Sequence, residues 1–293
     1  MNNIILKKLY NFITSATGWN NYDFLQDEDK QTDFGIEDVS SFENRLNTRN
    51  NYLNLNKEKN LENIFKLAYR AIEKISESIS SIPTMIADEW VIYFCTIAEM
   101  TSAEELQKLL AQVLVGKLIN PHNYSKRFLH CFSLLDDGDL DFLNNIFRYI
   151  LVSNNSAFFI SDLEFLAKYN ISIEDLLRVQ KMGFLMPNEL GITISVKDDN
   201  DPAIYNSAFI AFLKNTSGSN SNNLRIGIYL LNDEGYQLYH LISKESNARF
   251  TLDFIKKKKE ESKNKLNFSI HKVNYISGNQ INYDNAELSD QEV

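Results

Sequence analysis

The sequence predicts a mainly α protein: a helical body followed by a small α+β, winged-helix-like C-terminal module. Three observations lead there. Apolar residues recur at intervals of three and four from residue 57 to residue 152, the period of helices with one buried face. Ten glycines and four prolines are too few for an all-β chain with many tight turns. After residue 153, two short helices are followed by β-rich runs and then another helix, the element order of a winged-helix module.

Residues 3–17 place Ile5, Leu9, Phe12, Ile13 and Ala16 at helical spacing, and Gly18 ends the segment. This amphipathic helix either packs on the body or lies on a membrane surface or partner. Its Lys7 and Lys8 make a thinner basic face than membrane-surface helices usually carry. Residues 20–43 hold eight acidic side chains and no apolar period, so they read as a linker.

In residues 57–81, Leu61, Ile64, Phe65, Ala68, Ile72, Ile75 and Ile79 form one stripe. The asparagines before it, among them Asn50, Asn51, Asn54 and Asn56, supply N-cap candidates, and Pro83 breaks the helix. A helix over about 86–99 carries Trp90, Phe94, Ile97 and Ala98 on one face. Thr101 and Glu104 have capping-box spacing ahead of a helix with Leu106, Leu109, Leu110, Val113 and Leu114 inward. Asn120-Pro121 closes it. Short helices follow at 125–135 and 139–152.

Residues 161–169 and 172–183 read as helices with Ser161 and Ser172 as N-caps and Gly183 at the C-terminal end. β-rich runs occupy 192–196, 208–213 and 224–230, and Asp233 opens a helix through Leu241. A charged helix over 247–264 precedes a polar tail. The resulting organisation is an N-terminal helix (1–19), an acidic and Asn-rich linker (20–56), a helical domain (57–152), the winged-helix-like module (153–245), and a charged helix with tail (246–293).

The net charge of −9 works against non-specific nucleic-acid binding by the whole surface. The two cysteines, Cys95 and Cys131, lie in apolar helical contexts and read as buried free thiols, which suggests a cytoplasmic chain. No apolar run reaches the roughly 18 residues of a membrane span.

No catalytic signature is present: there is no phosphate loop, no GxSxG, no HExxH and no CxxC. The four histidines, His122, His130, His240 and His271, are scattered, and a zinc site from His122, His130 and Cys131 would need a fourth ligand and tighter spacing. No catalytic, cofactor or metal residue is assigned, and no small-molecule substrate is evident. Lys126-Arg127 is a basic pair at a loop-to-helix junction. In the winged-helix reading, residues 172–183 are the recognition helix, with Arg178 and Lys181 as the nucleic-acid candidates. Glu174 and Asp175 cancel their charge, which favours protein contact.

Trp90, Phe94, Ala98, Glu105-Leu106-Gln107, Ala111, Leu114, Gly116, Pro121 and Ser125 carry a pattern. It resembles a bacterial domain-of-unknown-function family and is similar in style to the Abi-alpha abortive-infection proteins. The resemblance covers roughly residues 60–240. Lys117 stands where the family usually has Glu, and His122 where it usually has Gly, so no role for that acid carries over. The resemblance implies a bacterial cytoplasmic protein tied to phage defence.

The expected function is therefore a non-enzymatic interaction or scaffold protein of antiphage defence, with a protein partner or self-association. Trp90, Gln107 and Ser125 are expected to fix the core, and Lys126 and Arg127 to make contacts. The alternatives are a winged-helix nucleic-acid-binding regulator and a peripheral effector at the inner membrane acting through the N-terminal helix.

Overall fold

The computed structural model describes residues 4–17, 42–74, 86–197, 202–216, 221–242, 245–263, 265–277 and 280–288. The acidic segment and Pro83 lie outside these residues, apart from the start of a helix at Phe42. The chain divides into two compact units, Met1–Asp137 and Gly138–Val293.

The first unit is helical: α1 (Ile4–Thr17), α2 (Phe42–Glu73), α3 (Asp88–Met100), α4 (Glu104–Ile119) and α5 (Lys126–Ser133). The apolar stripe of α1 is buried through Ile5, Leu9, Phe12 and Ile13. Phe12 meets Phe65 of α2 and Phe94 of α3 edge-on, at 6.1 and 5.9 Å between ring centres. Each such pair contributes about 1 kcal/mol beyond its buried area. The apolar face that a membrane surface would need is thus inside the unit. Among the described residues, no helix is long and apolar enough to cross a membrane.

The 32 residues of α2 make a rod about 48 Å long. Among the described side chains, its buried stripe runs from Leu61 to Ile72, in the second half. The asparagines expected to precede this helix lie within it, because the helix starts well before its apolar period does. Thr101 does not cap α4: Ala103 is the N-cap, without a side-chain bond, while Thr101 terminates α3 and donates its hydroxyl to Ile97 O.

The second unit contains α6 (Asp137–Ile146), a single 3-10 turn, β1 (Leu151–Ser153), β2 (Ser156–Ile160), α7 (Leu163–Ala167), α8 (Ile173–Lys181) and β3 (Leu185–Lys197). Then come β4 (Ala203–Tyr205), β5 (Phe209–Asn215), β6 (Ser221–Leu231), α9 (Asp233–Ile242), α10 (Ala248–Glu261), β7 (Leu266–Ser277) and β8 (Gln280–Tyr283). The strands form one eight-stranded antiparallel sheet in the order β3-β6-β2-β1-β4-β5-β7-β8.

This corrects the expected fold class. The protein is α+β, and its C-terminal half is a large sheet unit rather than a small winged-helix-like module on a mainly α chain. Strands β3 and β6 are not a free-standing wing: β3 pairs with β6, and β6 pairs in turn with β2 from ahead of the helices. The stretch 139–152 is not one helix, since β1 follows the 3-10 turn. β1 and β2 sit mid-sheet with both faces covered, so they lack the alternation that marks a half-buried strand. Asn154 and Asn155 join them with φ of 48° and 60°, the left-handed pair of a two-residue hairpin turn. β7 alternates Leu266, Phe268 and Ile270 inward with polar residues between.

Two polar clamps fix the unit. Asn206 is fully buried between β4 and β5. Its Oδ1 accepts from Ala208 N and Phe209 N, both at 2.9 Å, and its Nδ2 donates to Thr251 Oγ1 of α10. Asn232 accepts from Gly235 N and donates to Gly183 O at 2.7 Å, joining α9 to the turn after α8. Gly235 is required there, because a Cβ would lie 2.0 Å from Phe184 O.

Candidate functional site

The motif positions of the helical unit converge on the loop from Asn120 to Ser125. Tyr124 adopts φ 52°, which turns its carbonyl back toward the bundle. That carbonyl accepts from Trp90 Nε1 at 2.6 Å and from Lys117 Nζ at 3.4 Å. Lys117 also donates to Asn123 O at 2.7 Å, and its ammonium lies 5.1 Å from the centre of the Trp90 ring. Trp90 stacks on Phe94 at 5.2 Å. The Tyr124 ring covers Gly116, where a Cβ would stand 2.6 Å from Cε2.

Lys117 is only 7% exposed. Burial lowers the pKa of its ammonium. Its charge is met by two carbonyls and an indole face, and it stands in the last turn of α4, where a cation favours the helix dipole. An acid at this position would face the same carbonyls with the wrong sign. The lysine therefore fits the site as built in this chain.

Ser125 is the N-cap of α5, accepting from Phe128 N at 3.0 Å. Gln107 is buried at the other end of α4, about 15 Å away along the helix. Its Nε2 donates to Asn60 Oδ1 and Thr101 O, tying α2 to the α3–α4 turn. Lys126 reaches Glu89 Oε2 at 2.7 Å, and this bond holds the Glu89 carboxyl below its usual range. Arg127 is exposed beside it. Tyr93 Oη lies 3.2 Å from His130 Nδ1. The pairs Glu89–Lys126 and Tyr93–His130 show α3 and α5 running side by side in one direction.

Cys95 and Cys131 are buried free thiols. Arg178 pairs with Asp139 at 2.7 Å, and its guanidinium lies 4.1 Å from the Phe142 ring centre, fastening α8 to α6. Lys181 is exposed. A cleft of about 80 Å³ beside Ser161 and Gly227 includes Lys257 and Lys258 in its lining. Asp162 and Glu261 already pair with these lysines. Lys117, Asn123 and Tyr124 do not stand out as a site in the sequence, because their partners are backbone carbonyls that no residue type announces.

These features define an α+β protein whose helical unit is ordered around a buried lysine. The chain belongs to the family described as "Protein of unknown function (DUF2806)", whose model matches residues 44–255. That match contains the span, roughly 60–240, over which the motif resemblance runs. No curated protein and no solved structure matches the chain.

Proposed function

We propose that this protein is an interaction component of bacterial antiphage defence, of the abortive-infection kind, and that the paired helices α3 and α5 are its contact face. One observation carries the contact reading. The three most exposed large apolar side chains among the described residues are Met100 at 77%, Leu134 at 67% and Ile92 at 66%. Ile92 and Met100 lie two turns apart on one side of α3, with exposed Thr96 between them, and Leu134 ends α5. The same helices bear Glu89, Lys126 and Arg127, so the face offers apolar groups and both signs of charge. That combination suits a second copy of this chain across a two-fold axis. The buried Trp90–Lys117–Tyr124 core would keep the face rigid. The defence part of the reading rests on the resemblance of the Trp90, Gln107, Gly116, Pro121 and Ser125 pattern to Abi-alpha proteins.

The test is a phage challenge of cells carrying the gene, paired with light scattering on the purified protein. Wild type is expected to protect and to self-associate. Ile92→Asp with Met100→Asp, and separately Lys126→Glu with Arg127→Glu, should lose both properties while remaining folded. Folded variants that protect and associate like wild type would remove the contact face from consideration.

A further inference from the structure

β7 sets Ser269 and His271 two residues apart, on one face of the strand. Across the ladder, β5 places Phe212 opposite Ser269 and Ile210 opposite His271. Ser269 Oγ lies 2.9 Å from His271 Nε2, and His271 Nδ1 lies 3.0 Å from the carbonyl oxygen of Asp284. A carbonyl oxygen can only accept. In the neutral imidazole the ring proton therefore sits on Nδ1, and Nε2 is left with a lone pair. The serine hydroxyl must be the donor in its bond to Nε2.

The acceptor that fixes this tautomer is itself held. Asp284 N donates to Lys272 O at 2.9 Å, and Asp284 Oδ1 accepts from Asn274 Nδ2 at 2.9 Å. The rings of Phe212 and Tyr283 stand 5.8 and 5.4 Å from the imidazole. Ser269 is 5% exposed, while His271 is half-buried. Partial exclusion of water strengthens the Oγ–Nε2 bond relative to bonds with solvent. The arrangement contains a hydroxyl, a base within hydrogen-bond reach and a third group orienting the base, the constellation that activates an otherwise weak nucleophile. It lies beyond the residues matched by the family model, in the other unit from the contact face, and does not depend on that reading.

We propose that Ser269 is an activated nucleophile that accepts an acyl group from an activated ester or thioester, with His271 as its general base. Ser269 Oγ bonds to the acyl carbon while its proton passes to His271 Nε2. The bond from that carbon to the leaving oxygen or sulfur breaks, and the leaving group takes the proton back from Nε2. Water, deprotonated by the same nitrogen, then cleaves the serine ester and restores the hydroxyl. The Asp284 carbonyl and Asn274 act as positioning groups.

The test uses the full-length chain with a fluorophosphonate probe and p-nitrophenyl acetate, and maps the label by peptide mass spectrometry. Label is expected on Ser269, with none on Ser269→Ala. His271→Gln, which keeps a polar side chain but no general base, should label roughly a hundredfold more slowly. Thermal unfolding accompanies each variant, and Ser269→Cys, probed with iodoacetamide, reports access if the alanine variant does not fold. Intact folded protein that takes no label at Ser269 overturns the proposal, as does a wild-type labelling rate in His271→Gln. A Ser269→Cys variant that iodoacetamide leaves unmodified, together with a shifted melting temperature in Ser269→Ala, would show a purely structural hydrogen bond.

Discussion

Trp90 and Lys117 share one acceptor. The carbonyl of Tyr124 receives the indole N–H at 2.6 Å and the ammonium at 3.4 Å, while the ammonium also faces the indole ring. An aromatic donor from α3 and a cation from α4 are thereby locked to the loop that launches α5.

Lys117→Met keeps the apolar stem and removes the charge, leaving the Asn123 carbonyl without its described donor. The expected loss is about 2 kcal/mol in urea unfolding. Lys117→Glu should cost more, since a carboxylate would face two carbonyls. The folded-state pKa of Lys117 lies below its unfolded 10.5, so between those values the unfolded chain binds more protons. The stability advantage of wild type over Lys117→Met should therefore grow as pH rises from neutrality toward that limit. A constant or shrinking difference would contradict this assignment.

Three glycines should respond differently to alanine. Gly191 has nothing within 4 Å of an added Cβ, Gly116 meets the Tyr124 ring at 2.6 Å, and Gly235 meets the Phe184 carbonyl at 2.0 Å. Backbone yields less than a side chain, so melting temperatures should fall in the order Gly191→Ala, Gly116→Ala, Gly235→Ala, from nearly no change to the largest. The Gly116 variant should lose about 1–3 kcal/mol, the usual range for overpacking.

Asn206→Ala strips the acceptor from the half-buried amides of Ala208 and Phe209 and leaves the buried Thr251 hydroxyl without its partner from β4–β5. Unsatisfied buried donors cost about 1–3 kcal/mol each. A loss of roughly 3 kcal/mol or more is expected. Hydrogen exchange at the Phe209 amide should accelerate before that of the β3–β6 ladder. Uniform acceleration across the sheet would argue against a local clamp.

Burial, and secondarily Glu99, pushes the Cys95 thiol up from 9.0 to about 12. Thiolate is the reactive form, so this cysteine should resist alkylation by iodoacetamide in the native protein and react once urea unfolds it. Rapid native-state modification at Cys95 would show that the helical unit opens locally.

What the sequence revealed was local. Ser172 caps α8 as expected, because an N-cap needs only a side chain and the amides two or three residues on, whereas Asp162 rather than Ser161 caps α7. Trp90, Phe94 and Leu110 declared themselves buried by period alone. Thr101 misled, because the hydroxyl that suits an N-cap also ends the preceding helix. The short buried strands β1 and β2 carry no alternation, and the absence of a turn glycine hid the Asn154-Asn155 hairpin. β7 did alternate, yet Asn267, Lys272 and Asn274 made it resemble a tail. Lys117 was visible as a departure from a motif, but the two carbonyls that explain it belong to the backbone. Ser269 and His271 could be paired only after β7 existed to put them on one face.

The order of strands in the sheet has a temporal meaning. Phe158 must find Leu230, and Asn215 must find Leu266, before β2 and β5 have neighbours on both sides. Closing such long loops is slow, whereas the helices of the first unit form largely from neighbours in sequence. A chain leaving the ribosome would therefore complete the helical unit early and leave one edge of β2 and one edge of β6 open until the sheet closes. The interval between those two events is when this protein is most exposed to aggregation.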